Sequence, residues 1–123
     1  MRIGTDIVEI DRIRRSVQKQ GFLRHVYSKE EMAFFETKKD PAPSMAANWA
    51  AKEAFSKALG TGVVGFEMHD ISVLRDKLGA PYLSLSGNAK EIADKMGLTP
   101  LVTLSHSDKY AVAFVVCEEN KND

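Results

Sequence analysis

Hydrophobic and polar residues alternate from the start of the chain. In Ile3-Gly4-Thr5-Asp6-Ile7-Val8-Glu9-Ile10, Ile3, Thr5, Ile7 and Glu9 point one way; Gly4, Asp6, Val8 and Ile10 point the other. This predicts a strand over 3–10. Both faces carry apolar residues, so the strand is expected to be covered on both sides. Asp11 is placed to cap a helix with Ile10, Ile13 and Val17 on its buried stripe, ended by Gly21. Ser28, followed by Glu30 and Glu31, opens a second helix reaching Lys38. Residues 39–43 read as a loop because of Pro41 and Pro43. Ser44 begins the strongest helix, rich in Ala and free of internal Gly or Pro as far as Leu59, where Gly60-Thr61-Gly62 stops it. Strands over 70–77 and 81–86 form a hairpin through Leu78-Gly79, and a short helix over 88–96 is closed by Gly97 and Pro100. The last strands span 101–104 and 110–117, joined by 105–109. Helices mixed with antiparallel strands make the class α+β: one small domain over 1–118 and a polar tail over 119–123.

Composition narrows the function classes. A chain of 123 residues suits one domain, and 44% hydrophobic with 28% charged residues is a globular balance. Lys+Arg and Asp+Glu are both 17, and this zero net charge argues against a general nucleic-acid binder. The lone cysteine, Cys117, excludes an internal disulfide and sits in an apolar run, as a buried inert thiol would. No apolar stretch approaches the roughly 20 residues of a membrane span, and Asp6 interrupts any signal-peptide core. The expectation is a soluble cytoplasmic protein. A core this small also favours self-association.

Four features carry candidate chemistry. Asp6 loses hydration in the middle of an apolar strand, so it is either a surface-paired strand residue or held by a cation or backbone N–H groups. On the long helix, Met45, Trp49, Phe55 and Leu59 share a wide arc, with Lys52 inside it; its stem is expected along the arc and its ammonium outside. Glu53 and Lys57 lie one turn apart beside the arc, and taken alone they read as an i,i+4 ion pair. Ala46 and Ala50 on the same side leave room for a ligand to approach. Ser105-His106-Ser107-Asp108 offers groups that hold phosphate, or simply a polar turn. Arg12, Arg14, Arg15, Lys19 and Arg24 fall in one stretch without an acid. With Phe22 they form either a solvated face or a docking surface for an acidic partner. Asp6 and Glu53 are oxygen donors that suit Mg²⁺ better than zinc or copper.

Together these segments resemble the holo-acyl-carrier-protein synthases, the small bacterial members of the 4′-phosphopantetheinyl transferases. The resemblance rests on the opening strand 3–10, on Trp49-Ala50-Ala51-Lys52-Glu53-Ala54-Phe55-Ser56-Lys57-Ala58-Leu59-Gly60-Thr61-Gly62, and on Val102-Thr103-Leu104-Ser105-His106-Ser107. It implies a long central helix packed on a mostly antiparallel sheet. It also implies transfer of the 4′-phosphopantetheine arm of coenzyme A to a serine of apo acyl carrier protein for fatty acid biosynthesis. By position, Asp6 and Glu53 would hold Mg²⁺, and Lys57 would stabilise charge on the phosphate. Asn48, Trp49, Ser56, Lys57, Gly60, His106 and Ser107 would line the nucleotide site, with His106 near the 3′-phosphate. Arg12 would meet the acidic carrier protein, in the surface that also holds Arg15 and Phe22. The resemblance further implies a homotrimer with active sites between subunits. Two positions depart from the pattern. Asn48 stands where many members carry arginine, with Lys38 or Lys39 as candidate replacements, and Thr103 stands where serine is common. The residues alone leave two other readings open: a non-catalytic module that binds an acidic protein, and a Mg²⁺-dependent hydrolase of phosphate esters.

Overall fold

The computed structural model describes residues 1–121. Its strands are β1 (Arg2–Glu9), β2 (Ile71–Arg75), β3 (Pro81–Leu85), β4 (Leu98–His106) and β5 (Tyr110–Glu119). Its helices are α1 (Ile10–Ser16), α2 (Phe22–Val26), α3 (Lys29–Glu36), α4 (Ala42–Leu59) and α5 (Gly87–Met96). A three-stranded antiparallel sheet has the order β1-β5-β4, and β2-β3 is the expected hairpin. The α+β expectation holds.

One face of the three-stranded sheet packs on α4. The central strand turns Ala111, Ala113, Val115 and Cys117 toward the helix, all fully buried. The helix answers with Ala46, Ala50, Ala51 and Ala54, also fully buried. Small residues on both sides let the two backbones come close. The limit is Gly4, where a Cβ would stand 2.0 Å from the Ala54 carbonyl oxygen and 2.7 Å from the Ala58 nitrogen. Ala46 and Ala50 are fully buried, so the space beside them is not open to a ligand in the single chain. At the far end, Arg2 donates from Nε to the Ala58 carbonyl at 2.8 Å and from Nη2 to the Leu59 carbonyl at 2.9 Å. These are the carbonyls a helix C-terminus leaves unpaired. Strand and helix are locked in one register.

Several expectations are corrected. The other face of β1 is not covered within the chain: Ile3 and Ile7 are 60% and 62% exposed. The first helix ends at Ser16, and Asp11 lies in its first turn without capping it. Gly21, in the left-handed region at φ 85°, begins α2 and does not end α1. α4 starts at Ala42, because proline in a first turn surrenders an N–H that has no partner anyway. Pro100 lies inside β4, which is tolerable on an edge strand, so β4 begins at Leu98 and includes Ser105 and His106. β5 runs through Glu119. Residues 122 and 123 of the expected tail lie outside the described residues.

The largest surprise is internal. Lys52 does not reach solvent. It and Glu31 are fully buried and paired, Nζ to Oε1 at 2.6 Å. Lys52 also donates to the Met68 carbonyl at 3.0 Å and to the Ile71 carbonyl. Burial pulls its ammonium below the ordinary lysine value, with Glu31 opposing. Ser28 caps α3 as expected, but Glu31 closes a reciprocal box with it and is buried, where a solvated first-turn acid was expected.

Candidate active site

β1 runs beside α4, and its helix-facing residues are Gly4, Asp6 and Val8. Gly4 meets the helix at Ala54 and Ala58, so Asp6 falls beside the turn that carries Glu53 and Lys57. Lys57 Nζ donates to Asp6 Oδ1 at 3.0 Å and to the Thr5 carbonyl at 3.0 Å. The Asp6 side chain is 16% exposed and that of Lys57 54%. Lys57 is thus pinned across to the strand and does not form the expected ion pair with Glu53. Glu53 is half-buried. Its carboxyl is pushed up, first by burial and then by the charge of Asp6, with Lys57 and Arg12 opposing. The strand acid, the helical acid and the lysine therefore converge, although 47 and 51 residues of chain separate Asp6 from Glu53 and Lys57.

This donor set fits a hard divalent cation. No group of three or more His, Cys, Asp or Glu side chains with metal-site geometry occurs among the described residues. Two carboxylates are still the number that suits Mg²⁺, which keeps waters and takes phosphate oxygens from its substrate. A cation between Asp6 and Glu53 would also relieve the repulsion that raises the Glu53 carboxyl.

A second feature lies on the same side of the sheet. Asp6 pairs with Ala113 and Ala113 with Leu104, while Val8, Ala111 and His106 form the next row. His106 is two strands over and two residues along from Asp6, about 12 Å by strand spacing and rise. It lines a cleft of about 480 Å³ with Phe34, Lys38, Ser44, Arg75, Lys77 and Ser105. His106 is exposed, with Nδ1 3.3 Å from the Ser107 carbonyl. Ser107 Oγ accepts from the N–H groups of Lys109 and Tyr110 at 3.3 and 3.2 Å, shaping the turn. Gly60 caps α4 at φ 84°, beside Arg2.

Other expected site residues sit elsewhere. Ser56 is fully buried, and its hydroxyl donates to the Glu53 carbonyl at 2.7 Å, back onto its own helix. Asn48 is also fully buried. Its Nδ2 donates to Glu31 Oε2 at 2.9 Å and to the Val73 carbonyl at 3.1 Å; its Oδ1 accepts from Arg75 Nη2 at 3.1 Å. Both side chains are out of solvent in the single chain. Trp49 is half-buried, with Phe22 stacked 5.7 Å away and the Arg12 guanidinium 5.7 Å from its ring. The indole thus joins the surface assigned to a partner. Arg12 and Arg15 are exposed on α1, whereas Arg14 is engaged by Asp40 at 2.9 and 2.7 Å. Arg75 and Phe34 were not foreseen in the cleft. The hint was Arg75 at the mouth of a tight hairpin, where a side chain must project.

Comparisons with known proteins identify the family. The profile of the 4′-phosphopantetheinyl transferase superfamily matches residues 2–115. A holo-acyl-carrier-protein synthase of Clostridium novyi is 42% identical over 122 residues, covering 98% of this chain and 88% of the relative. The crystal structure of the synthase from Neisseria meningitidis superposes with a TM-score of 0.89 at 34% identity, covering 96% of this chain and 98% of that one. The Helicobacter pylori synthase in complex with coenzyme A gives 0.82 at 34% identity, covering 94% and 99%. The chain is an enzyme that belongs to the holo-acyl-carrier-protein synthases of the 4′-phosphopantetheinyl transferase superfamily.

Proposed function

We propose that this chain transfers the 4′-phosphopantetheine arm of coenzyme A to a serine hydroxyl of an apo acyl carrier protein. The transfer releases adenosine 3′,5′-bisphosphate and readies the carrier for fatty acid biosynthesis. The observation that carries this reading is the meeting of Asp6 and Glu53, with Lys57 bonded to Asp6 at 3.0 Å.

Phosphoryl transfer asks chiefly for positioning and charge stabilisation. Asp6 and Glu53 would hold Mg²⁺, which when bound supplies Lewis acidity toward the diphosphate oxygens. Lys57 keeps its ammonium beside the same oxygens and offsets charge as the bond to phosphorus breaks. Glu53 is the first choice of general base for the serine hydroxyl, since burial pushes its carboxyl up; Asp6 is the second. Arg12 and Arg15 steer an acidic carrier toward α1, and Phe22 and Trp49 offer apolar surface beside them.

The uncovered sheet face supports the homotrimer. A small cleft lined by Ile3, Gly4, Thr5, Lys57 and Phe114 reaches the catalytic lysine from that face. A neighbouring chain that covers the face therefore also closes over the site. The same reading puts the enzyme in the cytoplasm with its two substrates; no helix among the described residues is long and apolar enough to cross a membrane.

The test is the intact mass of apo carrier protein incubated with the chain, coenzyme A and Mg²⁺. The expected gain is about 340 Da, the phosphopantetheinyl group of this transfer. A chelator abolishes it, and so does Glu53→Ala, with assembly unchanged. A Glu53→Ala chain that modifies the carrier at the wild-type rate overturns the role of Glu53, and an unmodified carrier overturns the reading itself.

A further inference from the structure

The cleft beside His106 is lined by Lys38, Arg75, Lys77 and His106 against one acid, Asp76. That acid is engaged: its Oδ1 accepts from the N–H groups of Leu78 and Ala80, each at 2.9 Å, and forms the hairpin turn. No ion pair among the described residues involves Lys38, Arg75, Lys77 or His106. Two of the cations share one ring. Lys38 Nζ and the Arg75 guanidinium each stand 5.0 Å from the centroid of Phe34. A single aromatic face offsets little of the repulsion between two cations, so the pair is arranged for an anion that the chain does not itself provide.

Of the two, Arg75 is the one held in place. Asn48 spends both Nδ2 protons on Glu31 and the Val73 carbonyl, which fixes its Oδ1 toward Arg75 Nη2 at 3.1 Å. Glu31 is in turn fixed by Lys52 and Ser28. The buried network therefore ends on the guanidinium. Its Nη1 makes only long contacts, to the Val73 and Leu74 carbonyls at 3.4 and 3.5 Å, and no hydrogen bond among the described residues takes its Nε. Guanidinium geometry matches the oxygens of a phosphate in a way an ammonium does not.

We infer that Arg75, positioned by Asn48, grips the 3′-phosphate of coenzyme A and sets the preference for coenzyme A over its 3′-dephospho form. The inference rests on the proposed function. It also resolves the departure at position 48: asparagine supplies no charge there, and it aims a cation that arrives from β2. Lys38 adds charge to the same subsite without fixing its geometry; Lys39 does not line the cleft.

The experiment compares kcat/KM for coenzyme A and for 3′-dephospho-coenzyme A in the wild-type chain and in Arg75→Gln, which keeps an N–H donor for Asn48. The expected result is a loss of preference of about tenfold or more, the scale of a lost charged hydrogen bond. It should appear in KM for coenzyme A, with kcat retained. Arg75→Lys restores part of it. Calorimetric titration supplies a readout free of turnover: adenosine 3′,5′-bisphosphate weakens in Arg75→Gln while adenosine 5′-monophosphate, which lacks the 3′-phosphate, does not. An unchanged preference, or equal losses with both coenzymes, overturns the inference. If Arg75→Gln fails to fold, Arg75→Lys decides, since an unaltered preference there is equally fatal. Should the wild-type chain transfer nothing, the proposed function fails, and the titration still decides whether Arg75 reads the phosphate.

Discussion

Around Glu53, burial and Asp6 push the carboxyl up while Lys57 and Arg12 pull it down, and the upward pair wins. A carboxyl raised in the folded state holds its proton more tightly there than in the unfolded chain. Its contribution to stability is therefore greatest at low pH and is lost as pH rises through the raised value. In chelator-treated protein at neutral pH, Glu53→Gln should raise Tm by about 1–3 °C, a modest figure because the side chain is partly solvated. Well below the ordinary value of 4.5 the carboxyl is protonated in both states, and the gain should vanish. Mg²⁺ should then stabilise the wild-type chain more than the variant. Melting curves against pH, with and without the ion, check this; a variant that never exceeds the wild type at neutral pH defeats it. At this scale the sequence was legible in part. Asp6, Glu53 and Lys57 stood out because a charge in an apolar strand and a charged turn beside an apolar arc are local anomalies. Which partner Lys57 takes was not legible, since Asp6 is 51 residues away. Lys52 was misjudged for the same reason: its counter-ion Glu31 looked like an ordinary first-turn acid. Asn48 and Ser56 were assigned to a ligand by position, and burial removes both from solvent.

Elements succeeded where periodicity was long and failed where tertiary pairing decided. The central helix, the β2-β3 hairpin and β5 follow from runs with a clear period. α2 is only five residues, too short for any period to show. Pro100 looked like a helix stop, but pairing of β4 with β5 carries the strand through it. The Ala stripe of α4 was read as a gap because small residues do not reveal what fills the space above them. Ala46 and Ala50 are in fact fully buried, and farther along the helix β1 comes so near that Gly4 meets Ala54 and Ala58. Gly4→Ala places a methyl 2.0 Å from the Ala54 carbonyl oxygen, and the atoms it meets are helix backbone, which cannot swing aside. The substitution should cost about 3 kcal/mol or more, the range of severe core overpacking. Urea denaturation measures it, and the added strain should also loosen Lys57 from Asp6 and lower transfer. A Gly4→Ala chain as stable as the wild type would mean that β1 and α4 are not in this contact.

For the whole molecule the question is what lies over the second face of the sheet. In the isolated chain it presents Ile3 and Ile7 from β1, Leu101 from β4, and Tyr110 and Phe114 from β5, with Leu101 51% and Phe114 39% exposed. A contiguous apolar surface of this kind on a chain this small marks a face that another protein covers. Alternation in the first ten residues had suggested a strand covered on both sides, and the expectation holds only if the second cover is another subunit. Leu101→Glu tests this away from the site, because Leu101 stands on the edge strand two positions from Thr103 and far from Asp6. A charge at an exposed position should leave the folded chain within about 0.5 kcal/mol of the wild type. In an interface the same charge loses its water. Light scattering should therefore show the assembly falling from three chains to one chain of 13.6 kDa, with the circular dichroism spectrum unchanged. Transfer should fall by about tenfold or more, because the cleft at Lys57 opens on the face that the neighbour had closed. A wild-type chain that is monomeric at micromolar concentration while fully active would remove the neighbour from the mechanism. A Leu101→Glu monomer that retained full activity would do the same, and the site would then have to work with β1, α4 and the His106 cleft of one chain.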